Sequence, residues 1–263
     1  MQKQMQMQME LLNENCNKIN DLIELYELDV SYKKINGIFN SLNFTNLVNL
    51  YCSYNQITGF ENLPPGIKKI ICAGNKFESL ENLPNGLIEL NCSRNFLTDL
   101  DNLPEELNFL ICNNNQLTEL NNLPQKLIKL DCSFNKLLGL NNLPNNLVTL
   151  YCNDNEIKIL NYLPLTLIEL NCSNNDIINL DNLPSSLVKL NCSHNNIIQL
   201  NDLPNSLIEL DCSFNFIVEL NCLPIGLNFL VCSYNQIQKL DYLPENLSKL
   251  YCKNNSKTKY LNL

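Results

Sequence analysis

A cysteine stands at every twentieth residue from Cys52 to Cys252, eleven times in succession. An asparagine follows each of them three places later, from Asn55 to Asn255, and a proline keeps the same period from Pro64 to Pro244. With a repeat this short, each unit can bury its apolar side only against its neighbours, which is the condition for a solenoid. The periodicity therefore overrides the one or two globular domains that 263 residues would otherwise suggest.

One unit shows how the chain is built. From Leu87 the apolar positions are Leu87, Leu90, Cys92, Leu97, Leu100 and Leu103, and Leu107 begins the next unit. A strand is predicted over 88–93, where Leu90 and Cys92 alternate with Glu89, Asn91 and Ser93. The period of two sends the first pair inward and the other three outward. Asn95 ends the strand, and its amide can satisfy backbone groups in the bend and link one coil to the next. Pro104 removes an N–H and holds Leu103 extended. Twenty residues cannot hold a strand, two turns and a full helix, so the far side is expected to consist of short extended or 3₁₀ segments.

The cysteines themselves number thirteen. Equivalent Cα atoms on in-register parallel strands lie about 4.8 Å apart, within disulfide reach, but their Cβ vectors run parallel and a bridge would distort the ladder. The strings Asn91-Cys92-Ser93, Asn171-Cys172-Ser173 and Asn191-Cys192-Ser193 would place glycans on the strand face. A reducing cytosol suits both features better. A linear row of thiols gives no tetrahedral closure for zinc, and no CxxC or histidine partner occurs at ligand spacing. Burial in apolar surroundings makes a thiol inert. A packing role is expected, with no metal and no cofactor.

A net charge of −9 argues against nucleic acid as a partner, and Lys253, Lys257 and Lys259 read as a solvated end. No apolar run spans a bilayer, and Met1 to Glu10 alternates Met with Gln where a signal peptide would be apolar. The expectation is a cytoplasmic protein with no membrane partner. Residues 1–9 read as a disordered Met/Gln tail. Residues 10–27 read as an N-terminal capping helix, with Leu12, Cys16, Ile19, Ile23 and Tyr26 forming its apolar stripe. Residues 28–40 are a degenerate first coil, in which Val30 precedes Cys52 by twenty-two residues. Eleven repeats fill 41–260 and 261–263 form the end, where Tyr260 and Leu261 are expected to fold over the last coil. An exposed last edge would be an association liability.

The string LPxxLxxLxCSxNxLxxL resembles the leucine-rich-repeat superfamily over 41–260. The short unit and its Leu-Pro step, as in Leu83-Pro84 and Leu183-Pro184, resemble the twenty-residue repeats of secreted bacterial effectors. The cysteine column and the Asn- and Ile-rich composition also resemble uncharacterised repeat proteins of giant DNA viruses and amoebae. The resemblance implies a mostly β, α/β repeat solenoid: a horseshoe with a concave parallel sheet, an irregular convex side and a capping helix. It also implies that the concave face binds a protein, with the host cytoplasm as location for an effector or viral product. Some of those effectors carry a C-terminal ubiquitin-ligase domain with a catalytic Cys. Here the last repeat is followed by three residues, so that activity is not carried over.

The outward columns differ from repeat to repeat. One runs from Asn49 through Phe109, Glu169 and Phe229 to Lys249, and the next runs from Tyr51 through Ile71, Ile111 and Val231 to Tyr251. A third column, mostly Ser or Asn, is expected to leave the face open. Apolar residues cluster twice, at Ile71, Phe109 and Ile111, and at Phe214, Phe229, Val231, Tyr234 and Tyr251, with a polar belt between them (Glu169, Asn171, Lys189, Asn191, Glu209, Asp211). Such clusters are candidate partner sites, aromatics being favoured at hot spots. No catalytic residue is assigned. His194 is the single histidine, and no Gly-rich phosphate loop, H-E-x-x-H or nucleophile-elbow string occurs. The reading is a non-catalytic interaction scaffold for an unknown protein, monomeric or weakly self-associating. A structural solenoid and a thiol-based metal or redox protein are the alternatives.

Overall fold

The computed structural model describes residues 25–240 and 243–256. The expected Met/Gln tail, nearly all of the expected capping helix, and Tyr260 and Leu261 lie outside these residues. The helix does not extend to residue 27, because Tyr26 lies in a bend and Glu27 opens a strand. The chain divides into two compact units, residues 1–117 with 122–127 and residues 118–121 with 128–263.

The first unit holds β1 (Glu27–Asp29), β2 (Asn36–Asn40), β3 (Asn49–Tyr51), β4 (Gln56–Glu61), β5 (Lys69–Ile71), β6 (Glu89–Asn91) and β7 (Phe109–Ile111). Strands β1, β3, β5, β6 and β7 pair in parallel, so that Leu50 faces Ile70 and Leu90 faces Leu110. Glu27 pairs with Asn49, twenty-two residues on, where the later strands pair at the repeat length of twenty. β2 and β4 form a second parallel pair with a bulge between Gly37 and Ile38. The second unit holds β8 (Lys129–Asp131), β9 (Thr149–Tyr151), β10 (Glu169–Asn171), β11 (Lys189–Asn191), β12 (Glu209–Asp211), β13 (Phe229–Val231) and β14 (Lys249–Tyr251). All seven run parallel in register.

This is the predicted parallel β-solenoid. Leu87, Leu90, Cys92, Leu97, Leu100 and Leu103 are all buried, as are their equivalents in most other coils. Burying each leucine stabilises the coil by about 1.5–3 kcal/mol. Among the described residues there is no helix, and β-turns stand where 3₁₀ segments were expected. The Leu107 N–H donates to the Pro104 carbonyl at 3.1 Å, and the same turn recurs at Pro124, Pro144 and on to Pro244. Two places before the proline the backbone is left-handed, at Asn62, Asn82, Asn102, Asn122, Asn142 and Asn182 among others. Asparagine tolerates that region better than most L residues.

The asparagine column ties coil to coil through the backbone. Asn175 Nδ2 donates to the carbonyls of Cys172 (3.2 Å), Ser173 (3.1 Å) and, in the preceding coil, Cys152 (3.0 Å). Its Oδ1 accepts the Ile157 N–H at 2.9 Å. Asn75, Asn95, Asn195, Asn215 and Asn235 repeat the pattern. Among the described residues no buried side-chain nitrogen or oxygen lacks a partner.

Ten cysteines of the column, Cys52 through Cys232, are fully buried and free. Loss of hydration pushes the Cys92 and Cys172 thiols up to about 12. The Cys232 thiol also reaches about 12, chiefly through burial. Burial, with help from neighbouring thiols in the column, raises Cys72 and Cys152 further. These thiols stay protonated and small, as packing requires. Cys222, by contrast, is exposed. In a background with Cys16→Ser and, because Cys252 is half-buried, Cys252→Ser, dithiobis-nitrobenzoate at pH 8 is expected to modify Cys222 rapidly, and Cys222→Ser to abolish that fast phase. The ten buried thiols should react only after unfolding. Several fast thiols in the folded Cys222→Ser protein would refute the packing role.

Candidate protein-binding surface

The outward face of the strands is built from two columns. The third behaves differently from the sequence expectation. Ser93, Ser133, Ser193 and Ser213 are buried, and each Oγ donates to the Asn or Asp two residues earlier: Asn91 (2.7 Å), Asp131 (2.6 Å), Asn191 (2.8 Å) and Asp211 (2.6 Å). The serine N–H donates to the same oxygen. The regular strand stops at residue 91, so Ser93 no longer follows the outward alternation and instead closes a local turn. Much of the predicted polar belt is thus engaged internally: Asn171, Asn191 and Asp211 each hold a serine, and Lys189 pairs with Glu209 at 3.2 Å.

The candidate partner residues separate into three groups. In the first unit Phe109 and Ile111 share β7, with Phe109 exposed and Ile111 half-buried. Ile71 is not beside them, because β6 intervenes with Glu89 and Asn91. In the second unit Phe229, Val231 and Tyr251 come together. Val231 is the register partner of Tyr251, and the Phe229 and Tyr251 rings meet edge to face at 5.9 Å. The Lys249 ammonium lies 5.9 Å from the centre of the Phe229 ring.

Phe214 and Tyr234 belong to a different column, immediately before the asparagines. Their backbone is left-handed, with φ of 54° and 57°. Their rings stack at 4.2 Å, and His194 continues the stack onto Phe214 at 4.1 Å. The histidine is a rim residue as expected, here one layer of a ring ladder.

An apolar stripe was not anticipated. Ile128, Ile168 and Ile208 are exposed, and Val148 and Val188 between them are half-buried. Strict alternation from Leu90 would have turned Ile88 and its equivalents inward. In the structure the Val148 and Thr149 N–H groups both donate to the Ile128 carbonyl, at 2.8 and 3.1 Å, which rotates this position outward before the strand begins. The sequence signal was available, since Leu127 and Ile128 are adjacent and cannot both point inward from an extended chain.

Among the described residues no group of three or more His, Cys, Asp or Glu side chains is arranged to hold a metal ion, and no helix is long and apolar enough to cross a membrane.

No family model matches the chain, and no curated protein matches it. Solved structures do. YopM from Yersinia enterocolitica WA-314 is 32% identical over 82% of this chain and 57% of its own, with a TM-score of 0.60. YopM of Yersinia pestis is described as a leucine-rich effector protein. The functional domain of InlJ from Listeria monocytogenes, described as including a cysteine ladder, is 26% identical with a TM-score of 0.73. That match covers 92% of this chain and 66% of the InlJ chain. The leucine-rich repeats of FLRT2, solved in an octameric complex with Latrophilin 3 and Unc5D, share the fold at 23% identity, covering 80% and 76% with a TM-score of 0.68. The chain thus spans under two thirds of the Yersinia enterocolitica YopM and InlJ chains. Repeat, fold and likenesses agree: the chain is a leucine-rich-repeat solenoid that resembles those of bacterial effectors.

Proposed function

We propose that the chain is a non-catalytic interaction scaffold that binds a protein partner on the exposed face of its sheet. The anchors are the Phe229, Val231 and Tyr251 cluster and the Phe214–Tyr234 stack of the second unit. The observation that carries this reading is the edge contact of Phe229 and Tyr251 on neighbouring strands, with Tyr251 53% exposed. Rigid aromatics held on a regular backbone are favoured anchors, since little side-chain freedom is lost when they are covered. The complex of the FLRT2 repeats supports the reading at the level of fold. Phe109 and Ile111 offer a smaller second contact in the first unit. No cofactor is invoked, and the free, buried thiols suit a reducing cytoplasm, that of a host cell for an effector-like protein.

The test begins with affinity purification and mass spectrometry to identify a partner. Phe229→Ala with Tyr251→Ala should then weaken its binding by about a hundredfold or more, as loss of two hot-spot aromatics does. Undiminished affinity in a folded double variant would refute the assignment.

A second reading, self-association, rests on β14. Leu250 and Cys252 are half-buried, whereas Leu230 and Cys232 are buried. Under that reading the mass measured by light scattering would rise with concentration.

A further inference from the structure

The β2–β4 pair has one consequence outside the main sheet. β4 is six residues long, twice the length of the strands in the main sheet, and β2 is its one strand neighbour among the described residues. On its other side the next coil stays in touch only briefly, the Lys76 N–H donating to the Ile57 carbonyl at 2.9 Å, and residues 77–82 form no strand. A groove of about 370 Å³ opens there, bordered by Thr58, Gly59 and the segment around Leu80. Ile38, exposed, and Leu80, half-buried, supply its apolar surface, with the rings of Phe60 and Phe77 buried 4.8 Å apart beneath. Glu61 and Glu81, both exposed, supply the charges, and no Lys or Arg lines the groove.

An unpaired strand edge is a template for an added strand. Three common means of blunting such an edge (proline, lysine and an inward charge) are missing from the β4 sequence QITGFE. Gly59 leaves the edge accessible: a Cβ built on it would meet only Ile38 Cγ1, at 3.8 Å. We propose that this groove binds an extended, basic peptide segment of a protein partner. The segment would pair with β4 through its backbone, set an aliphatic side chain against Ile38 and Leu80, and face Glu61 and Glu81 with Lys or Arg. The site is separate from the Phe229 cluster and does not depend on it.

The probe is a fluorescein-labelled Lys-Val-Leu-Val-Lys peptide, compared with Glu-Val-Leu-Val-Glu and with the basic peptide N-methylated at both valines, by fluorescence anisotropy on the full chain. The basic peptide should bind at least about tenfold more tightly than the acidic one, and N-methylation should remove most of the affinity. Gly59→Tyr, which fills the groove without backbone strain, should lower affinity at least about tenfold. Glu81→Lys, a surface change that spares the fold, should erase or reverse the charge preference. Phe229→Ala with Tyr251→Ala should leave peptide binding unchanged. Equal binding of basic and acidic peptides, insensitivity to N-methylation or to Gly59→Tyr, or no binding up to about 1 mM would each overturn the proposal.

Discussion

Asn175→Ala is expected to destabilise the second unit by about 3–5 kcal/mol, more than loss of a leucine methyl or two would. The side chain is buried; the two N–H bonds of its amide are shared among three carbonyls, and its Oδ1 accepts from the Ile157 N–H. Alanine leaves those buried backbone groups facing a void, and each unsatisfied group costs about 1–3 kcal/mol. Asn175→Asp should do nearly as much damage, because a carboxylate cannot donate to the Cys152, Cys172 and Ser173 carbonyls. Asn255→Ala, at a half-buried position where solvent can replace the lost bonds, should cost under about 1.5 kcal/mol. Urea denaturation of the three variants checks the ranking. Equal, small losses at Asn175 and Asn255 would mean that the column is decorative.

The same columns show how far the sequence was legible. The period, the leucine positions and the roles of cysteine and asparagine could be read because each is forced by chemistry that recurs in every coil. A small apolar side chain is needed where coils stack, and an amide is needed where a bend leaves carbonyls and an N–H unpaired. The misreadings came from extending period-two alternation beyond a strand that is only three residues long, Glu89–Asn91. At Ile88 a shared carbonyl turns the residue out; at Ser93 a hydrogen bond to Asn91 turns it in. Both deviations had a local signal, the adjacent Leu87 and Ile88 and the Asn/Asp-Cys-Ser string, which glycan chemistry alone did not exploit. The β2–β4 pair was missed because Phe39 and Phe60 stand where most coils carry leucine and lie twenty-one residues apart, off the repeat of twenty. The candidate site was legible only as a list. Which exposed residues touch depends on register and ring packing, and these joined Phe229 to Tyr251 but separated Ile71 from Ile111.

The second large effect is a loss of stability in alkali. Nine buried thiols, at Cys52, Cys72, Cys92, Cys132, Cys152, Cys172, Cys192, Cys212 and Cys232, are raised by burial from the ordinary 9.0, three of them to about 12. The sign follows from linkage. Below pH 9 both folded and unfolded thiols are protonated and contribute no pH dependence. Above it the unfolded chain releases protons while the folded chain keeps them, so stability falls as pH rises through the window from 9 to about 12. At pH 10 each thiol withdraws on the order of 1 kcal/mol, and the nine together withdraw on the order of 10 kcal/mol, comparable with the entire stability of a typical domain. Like charges in one column repel, and Cys52 and Cys92 add to the effect of burial in raising the Cys72 thiol. Unfolding monitored by circular dichroism should therefore set in above pH 9, inside the window that ends near 12, and reverse on prompt acidification under reducing conditions. Cys172→Ala with Cys192→Ala lowers stability at pH 7 yet flattens the dependence of the urea midpoint on pH by roughly two ninths. That change of slope separates thiol ionisation from a mere loss of packing. An unaltered slope in the double variant would place the alkaline transition elsewhere, on the tyrosines or lysines, and would remove the cysteine column as the element that sets the upper pH limit of the fold.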